Sequence, residues 1–104
     1  MGLSSLEQHI LLAVLRQAPG AYGVSIQDCL KEITGRAPSL GAIYAALERL
    51  QRRGFLESRE GEPTATRGGR RKIYFEVSGA GRAALDSSIR TIEALSQGLR
   101  EKLA

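Results

Sequence analysis

The chain has 104 residues, 42% hydrophobic and 25% charged with a net charge of +4, which fits one soluble globular domain and argues against extensive disorder. Its single cysteine, Cys29, rules out an intrachain disulfide; its single histidine, His9, cannot complete a zinc site; and with no asparagine there is no N-glycosylation acceptor. The longest apolar run, Ile10 to Leu15, is too short to cross a bilayer and no basic stretch precedes it, so no membrane association and a cytoplasmic location are expected.

Ser4 followed three residues later by Glu7 reads as a capping box, and Leu6, Ile10, Leu11, Val14 and Leu15 then repeat at helical spacing. The pattern predicts a first helix from about Ser5 to Gln17, ended by Ala18-Pro19-Gly20. Because Leu12 and Ala13 leave almost no polar side in its middle, this helix is expected to contact its own core and a second surface. Leu6 and Ile10 are its candidates for an interface between two copies, and His9 is read as an interface or surface residue. A second helix is predicted over Val24 to Thr34, where Ile26, Cys29, Leu30 and Ile33 form one stripe and Gly35 supplies the stop. That stripe makes Cys29 a core residue.

Ser39 is the N-cap of a third predicted helix that closes on Arg52-Arg53-Gly54. Leu40, Ile43, Leu47 and Leu50 point at the core, while Gly41, Ala45, Glu48, Arg49 and Arg52 fall on the opposite face with Ala42 and Tyr44 at its flanks. Tyr44 is open to two readings, a phosphate contact or simple packing with its hydroxyl in water. Glu48 is likewise open between accepting from a cytosine amino group and pairing with Arg52 at i,i+4.

Two strands follow, Phe55 to Glu60 and Lys72 to Val77, the second alternating Ile73, Phe75 and Val77 with Lys72, Tyr74 and Glu76. The glycine-rich loop between them carries Arg67, Gly68, Gly69, Arg70 and Arg71 and makes a hairpin with a long tip. From Ser78 the helical pattern returns. Leu85, Ile89, Ile92, Ser96, Leu99 and Leu103 recur at alternating spacings of 3 and 4, a heptad seam with one polar member. Some 25 residues of helix would reach roughly 37 Å, more than a small domain covers by itself, so the seam is expected to pair with a second copy, the alternative being that it folds back on its own domain.

The order helix, helix, helix, strand, basic loop, strand, long helix is that of a winged helix-turn-helix, mainly α with a small β-hairpin wing. Between Arg36 and Lys72 stand nine basic residues against four acidic ones, whereas the rest of the chain carries six against seven. Such a concentration suits either a polyanion-binding surface or a solvated basic face. A helix entering a major groove needs small residues where backbone nears base edges and basic ones at its flanks, which Gly41, Ala42, Ala45 and Arg49 supply. Cations beside glycines on a loop, Arg67, Gly69, Arg70, Arg71 and Lys72, can reach phosphates or a minor groove. A winged-helix module that binds an acidic protein or another polyanion is the alternative. An enzyme finds no support, since no GxxxxGK[ST] loop, nucleophile with a base, or metal-ligand set is present.

Four stretches, Ala21-Tyr-Gly-Val-Ser-Ile26, Ser39-Leu-Gly-Ala-Ile-Tyr-Ala-Ala-Leu-Glu-Arg-Leu50, Arg53-Gly-Phe-Leu56 and Arg67-Gly-Gly-Arg-Arg-Lys-Ile-Tyr74, together resemble the PadR family of transcriptional regulators. The resemblance implies a homodimeric repressor that binds double-stranded operator DNA. In it the third helix reads the major groove, the wing touches an adjacent minor groove or backbone, and the last helix builds the dimer interface with help from the first. It places DNA contacts at Tyr22, Ser39, Gly41, Tyr44, Arg70, Arg71 and Lys72. The expected division is a DNA-binding domain over 1–78 and a dimerisation helix over 79–104, the short form within the family. Where family members commonly carry a Thr-Pro turn this chain has Ser78-Gly79-Ala80-Gly81, so the start of the last helix is expected to fray. Relatives that stack aromatic drugs use tryptophan at the dimer centre, and none is present here. No cofactor is expected, and nothing in the sequence indicates a small-molecule inducer.

Overall fold

The apolar stripes of the first half of the chain meet in one core. The helices α1 (Ser5–Arg16), α2 (Gly23–Thr34) and α3 (Leu40–Arg52) close around Ile10, Leu11, Val14, Ile26, Ile43, Leu47 and Leu50, none more than 1% exposed. This architecture is read from a computed structural model that describes residues 2–61 and 72–104.

Helix α1 starts at its capping box: Glu7 N–H donates to Ser4 Oγ at 3.1 Å and Ser4 N–H to Glu7 Oε1 at 2.8 Å. At its other end Gln17 donates to the Ser25 carbonyl and accepts from the Ser25 hydroxyl, both at 2.9 Å, which fixes the end of α1 against the start of α2. Helix α2 begins at Gly23 and stops at Gly35, whose φ of +81° needs glycine. Cys29 is only half-buried, packed on the core yet lining an open groove with His9, Leu12, Leu30 and Ile33. The predicted core stripe of α2 is therefore narrower than its four apolar residues suggest.

Strands β1 (Leu56–Glu60) and β2 (Ile73–Val77) form an antiparallel pair in the register Leu56↔Val77 to Glu60↔Ile73. Ala21 lies beside β2 and accepts the Phe75 N–H at 2.9 Å, so the segment entering α2 is bonded directly to the hairpin. Phe75 and Val77 are buried as their alternation predicts, but Ile73 is 42% exposed, because the strands have already left the core at that point. Of the predicted loop, residues 62–71 lie outside the described residues.

The last part of the chain departs from expectation at both ends. Rather than fraying, the start of α4 (Gly79–Ser96) is tied down on both sides. Ser78 Oγ accepts the Gly81 N–H at 3.0 Å and donates to the Gly54 carbonyl at 2.6 Å, while Ser78 N–H donates to the Phe55 carbonyl at 3.1 Å. A Cβ on Gly81 would collide with that Phe55 carbonyl, so glycine admits the close approach a bulkier residue would forbid. The predicted long helix also breaks: Gly98 adopts φ +79°, and only the single turn α5 (Arg100–Leu103) follows. Leu99 and Leu103 thus do not continue the seam of α4.

Residues 90–104 are all exposed, and the molecule measures 54 × 28 × 21 Å. Its radius of gyration of 15.5 Å exceeds the roughly 13 Å expected for a compact chain of this length. The distal half of α4 and α5 therefore stand away from the core.

Candidate nucleic-acid interface

On the outward side of α3, Ser39, Gly41, Tyr44, Ala45, Glu48 and Arg49 are exposed and Ala42 is half-buried. Ser39 Oγ accepts the Ala42 N–H at 3.1 Å, which fixes the first turn of the helix. The surface is small at this end and charged at the other. Glu48 pairs with Arg52 at 2.7 Å, the helix-stabilising alternative of the two sequence readings. Tyr44 packs its ring against Gly23 so closely that a Cβ there would overlap it, while 49% of the residue stays exposed. The packing reading of Tyr44 describes this position, with part of the ring left in solvent.

Gly23 opens α2, and its neighbour Tyr22 begins a ladder of rings and cations. The Lys72 ammonium lies 4.3 Å from the centroid of the Tyr22 ring, Tyr22 meets Tyr74 edge to face at 6.0 Å, and the Arg59 guanidinium covers the Tyr74 ring at 4.8 Å. Arg59 also donates to the Pro19 carbonyl at 3.1 Å, anchoring the ladder to the turn between α1 and α2. Through Tyr44, Gly23, Tyr22 and Lys72, the exposed side of α3, the start of α2 and the base of the hairpin touch in sequence. Arg67, Gly69, Arg70 and Arg71 lie outside the described residues.

Sequence reasoning missed three residues of this region. Tyr74 and Arg59 face each other in register across the hairpin, a pairing invisible until the strands are aligned. Glu7, recognised as a cap, is 5% exposed and also pairs with two arginines of the α3 end, Arg49 at 3.7 Å and Arg53 at 3.4 Å. Arg49, a predicted DNA contact, is thereby turned partly toward α1, with 48% of its side chain exposed. Arg53 stacks its guanidinium 4.8 Å from the Phe55 ring.

The residues predicted for an interface between copies divide. Ile10 and Leu85 are 0% and 3% exposed and belong to the chain's own core, so neither presents a surface to a partner. Leu6 and Ile89 are partly buried against that core, whereas Ile92, Leu99 and Leu103 are exposed. Leu95, 74% exposed and absent from the heptad reading, lies on α4 beside Ile92. Among the described residues, no helix is long and apolar enough to cross a membrane and no group of three metal-ligating side chains occurs.

A family model described as the transcriptional regulator PadR-like family matches residues 11–87. The chain belongs to that family. Solved PadR-like structures share the fold of this PadR-like chain. A PadR family transcription regulator from hypervirulent Clostridium difficile R20291 superposes at a TM-score of 0.76 with 17% identity, covering 97% of this chain and 100% of that one. A PadR-like transcriptional regulator from Bacillus cereus gives 0.74 with 22% identity over 94% and 90% of the two chains. PadR from Bacillus subtilis, solved in complex with operator DNA, gives 0.71 with 22% identity over 83% of this chain and 47% of that one. Comparison with curated proteins finds no match. The mainly helical, winged architecture expected from the sequence is the one observed.

Proposed function

We propose that this PadR-like chain is a homodimeric repressor that binds double-stranded operator DNA, with residues 1–78 contacting DNA, 79–104 joining the two copies, and no catalytic activity. The observation that carries the reading is contiguity: α3, the start of α2 and the hairpin base form one surface through Tyr44, Gly23, Tyr22 and Lys72. A single rigid face of that kind can set a helix into a major groove while the hairpin follows the neighbouring backbone. Between Arg36 and Lys72 the sequence carries nine basic residues against four acidic ones, the sign a phosphate backbone requires of its partner. Ser39, Gly41, Ala42, Tyr44 and Ala45 are assigned to the groove, Tyr22, Arg49 and Lys72 to its edges, and Arg67, Gly69, Arg70 and Arg71 to the wing. Repression as the sign of control follows from the family resemblance, and the cytoplasm is the place expected from the sequence.

An electrophoretic shift assay with duplex from the chain's own upstream region tests the reading. Binding that weakens steeply with added salt is expected. No complex even at low salt would overturn it.

A further inference from the structure

We propose that Tyr74 is a positioning residue for DNA recognition: acting through the Tyr22 ring, it fixes the place from which Lys72 meets a phosphate. This rests on the DNA-binding reading above. Tyr74 is held on three sides. Its ring closes against the Gly61 backbone so tightly that a Cβ there would overlap it, Arg59 covers one face, and the Tyr22 ring meets it edge to face. Arg59 is in turn held by the Pro19 carbonyl and stands directly opposite Tyr74 in the strand register.

Tyr22, by contrast, precedes the first turn of α2 and is half-buried, its N–H held by Ser25 Oγ at 3.0 Å. Its backbone is fixed but its ring direction depends on what it leans against. Lys72 has a long flexible stem, and the contact described for its ammonium is the Tyr22 face at 4.3 Å. A lysine restrained in this way loses less side-chain freedom when it meets a phosphate. Removing the Tyr74 ring would release Tyr22, and releasing Tyr22 would release Lys72.

The test uses the full chain and begins without DNA. In the free protein the Lys72 side-chain protons beside Nζ are expected to be shifted upfield by the Tyr22 ring. That shift should persist in Tyr74→Phe and collapse in Tyr74→Ile, a residue suited to a strand. Arg59→Gln, on the exposed side of β1, repeats the test should Tyr74→Ile not fold, and is expected to reduce the shift in the same direction.

With duplex, Tyr74→Ile is expected to weaken binding roughly fivefold by loosening Lys72 and Tyr22→Leu at least as much, while the salt slope in Tyr74→Ile stays nearly unchanged because the Lys72 charge is kept. Combined, they should do no more than Tyr22→Leu alone, and Tyr74→Phe should bind as the unmodified chain does. An unchanged Lys72 shift in Tyr74→Ile, additive losses in the double variant, or weakened binding in Tyr74→Phe would overturn the inference while leaving the DNA-binding reading intact. Failure of the unmodified chain to bind duplex would overturn both.

Discussion

Glu7 shows how one side chain can serve two levels of structure. Its carboxylate completes the cap of α1 and, from that buried place, also reaches Arg49 and Arg53 at the end of α3. Both arginines keep some solvent, Arg53 29% and Arg49 48% of the side chain, so losing the carboxylate does not strand a fully buried charge. Glu7→Ala is therefore expected to cost about 1–3 kcal/mol, read as a lower denaturant midpoint at unchanged slope. Two glycines make a sharper pair. Alanine at Gly81 drives its Cβ into the Phe55 backbone, which cannot swing aside, and should cost roughly 1–3 kcal/mol of stability. At Gly23 the obstacle is the Tyr44 ring, which is half exposed and can rotate away. Gly23→Ala should thus unfold near the unmodified temperature yet bind duplex more weakly; a large fall in melting temperature would show that Tyr44 cannot move.

At the scale of elements, the proposed function divides the work of recognition between α3 and the hairpin base. Gly41 and Ala45 expose little beyond backbone, so Ala45→Gln is expected to change which duplexes are preferred while leaving stability nearly unchanged. Lys72→Ala should weaken binding to all duplexes alike and lower the salt slope by about one. Identical profiles for the two variants across a set of sequences would refute the division. The three helices were legible because their signals are local: Ser4 with Glu7, Ser39, and the glycines at 35 and 54 sit within a few residues of the ends they define. What depended on distant partners was not. Arg59 and Tyr74 meet only once β1 and β2 are in register, and Glu7 and Arg53 are 46 residues apart. The heptad count through Leu103 failed for a different reason, since alternating apolar spacing cannot register that Gly98 turns the chain at φ +79°. Nor can a stripe say where its own core ends, which is why Ile10 and Leu85 read as interface and are core.

At the scale of the whole molecule, the far half of α4 poses a packing problem. Ile92 and Leu95 are 53% and 74% exposed on a helix that extends past the core, and Leu99 and Leu103 follow after the turn. Four large apolar side chains on one protruding segment are what the second copy of the proposed homodimer would cover, and such a dimer would carry two α3 helices. Joining two weak half-site contacts commonly strengthens binding by about 10²–10⁴. Replacing Ile92 and Leu95 with glutamate should therefore leave the fold intact, because neither side chain belongs to the core, while sedimentation shows a monomer, the melting temperature falls and loses its dependence on protein concentration, and operator affinity falls by roughly 100-fold or more. Leu85→Glu is the contrasting variant, since a charge at a site 3% exposed should unfold the chain instead of merely separating it. A doubly substituted protein that still sediments as a dimer would move the interface off α4, and one that is monomeric yet binds operator unchanged would remove the need for two copies.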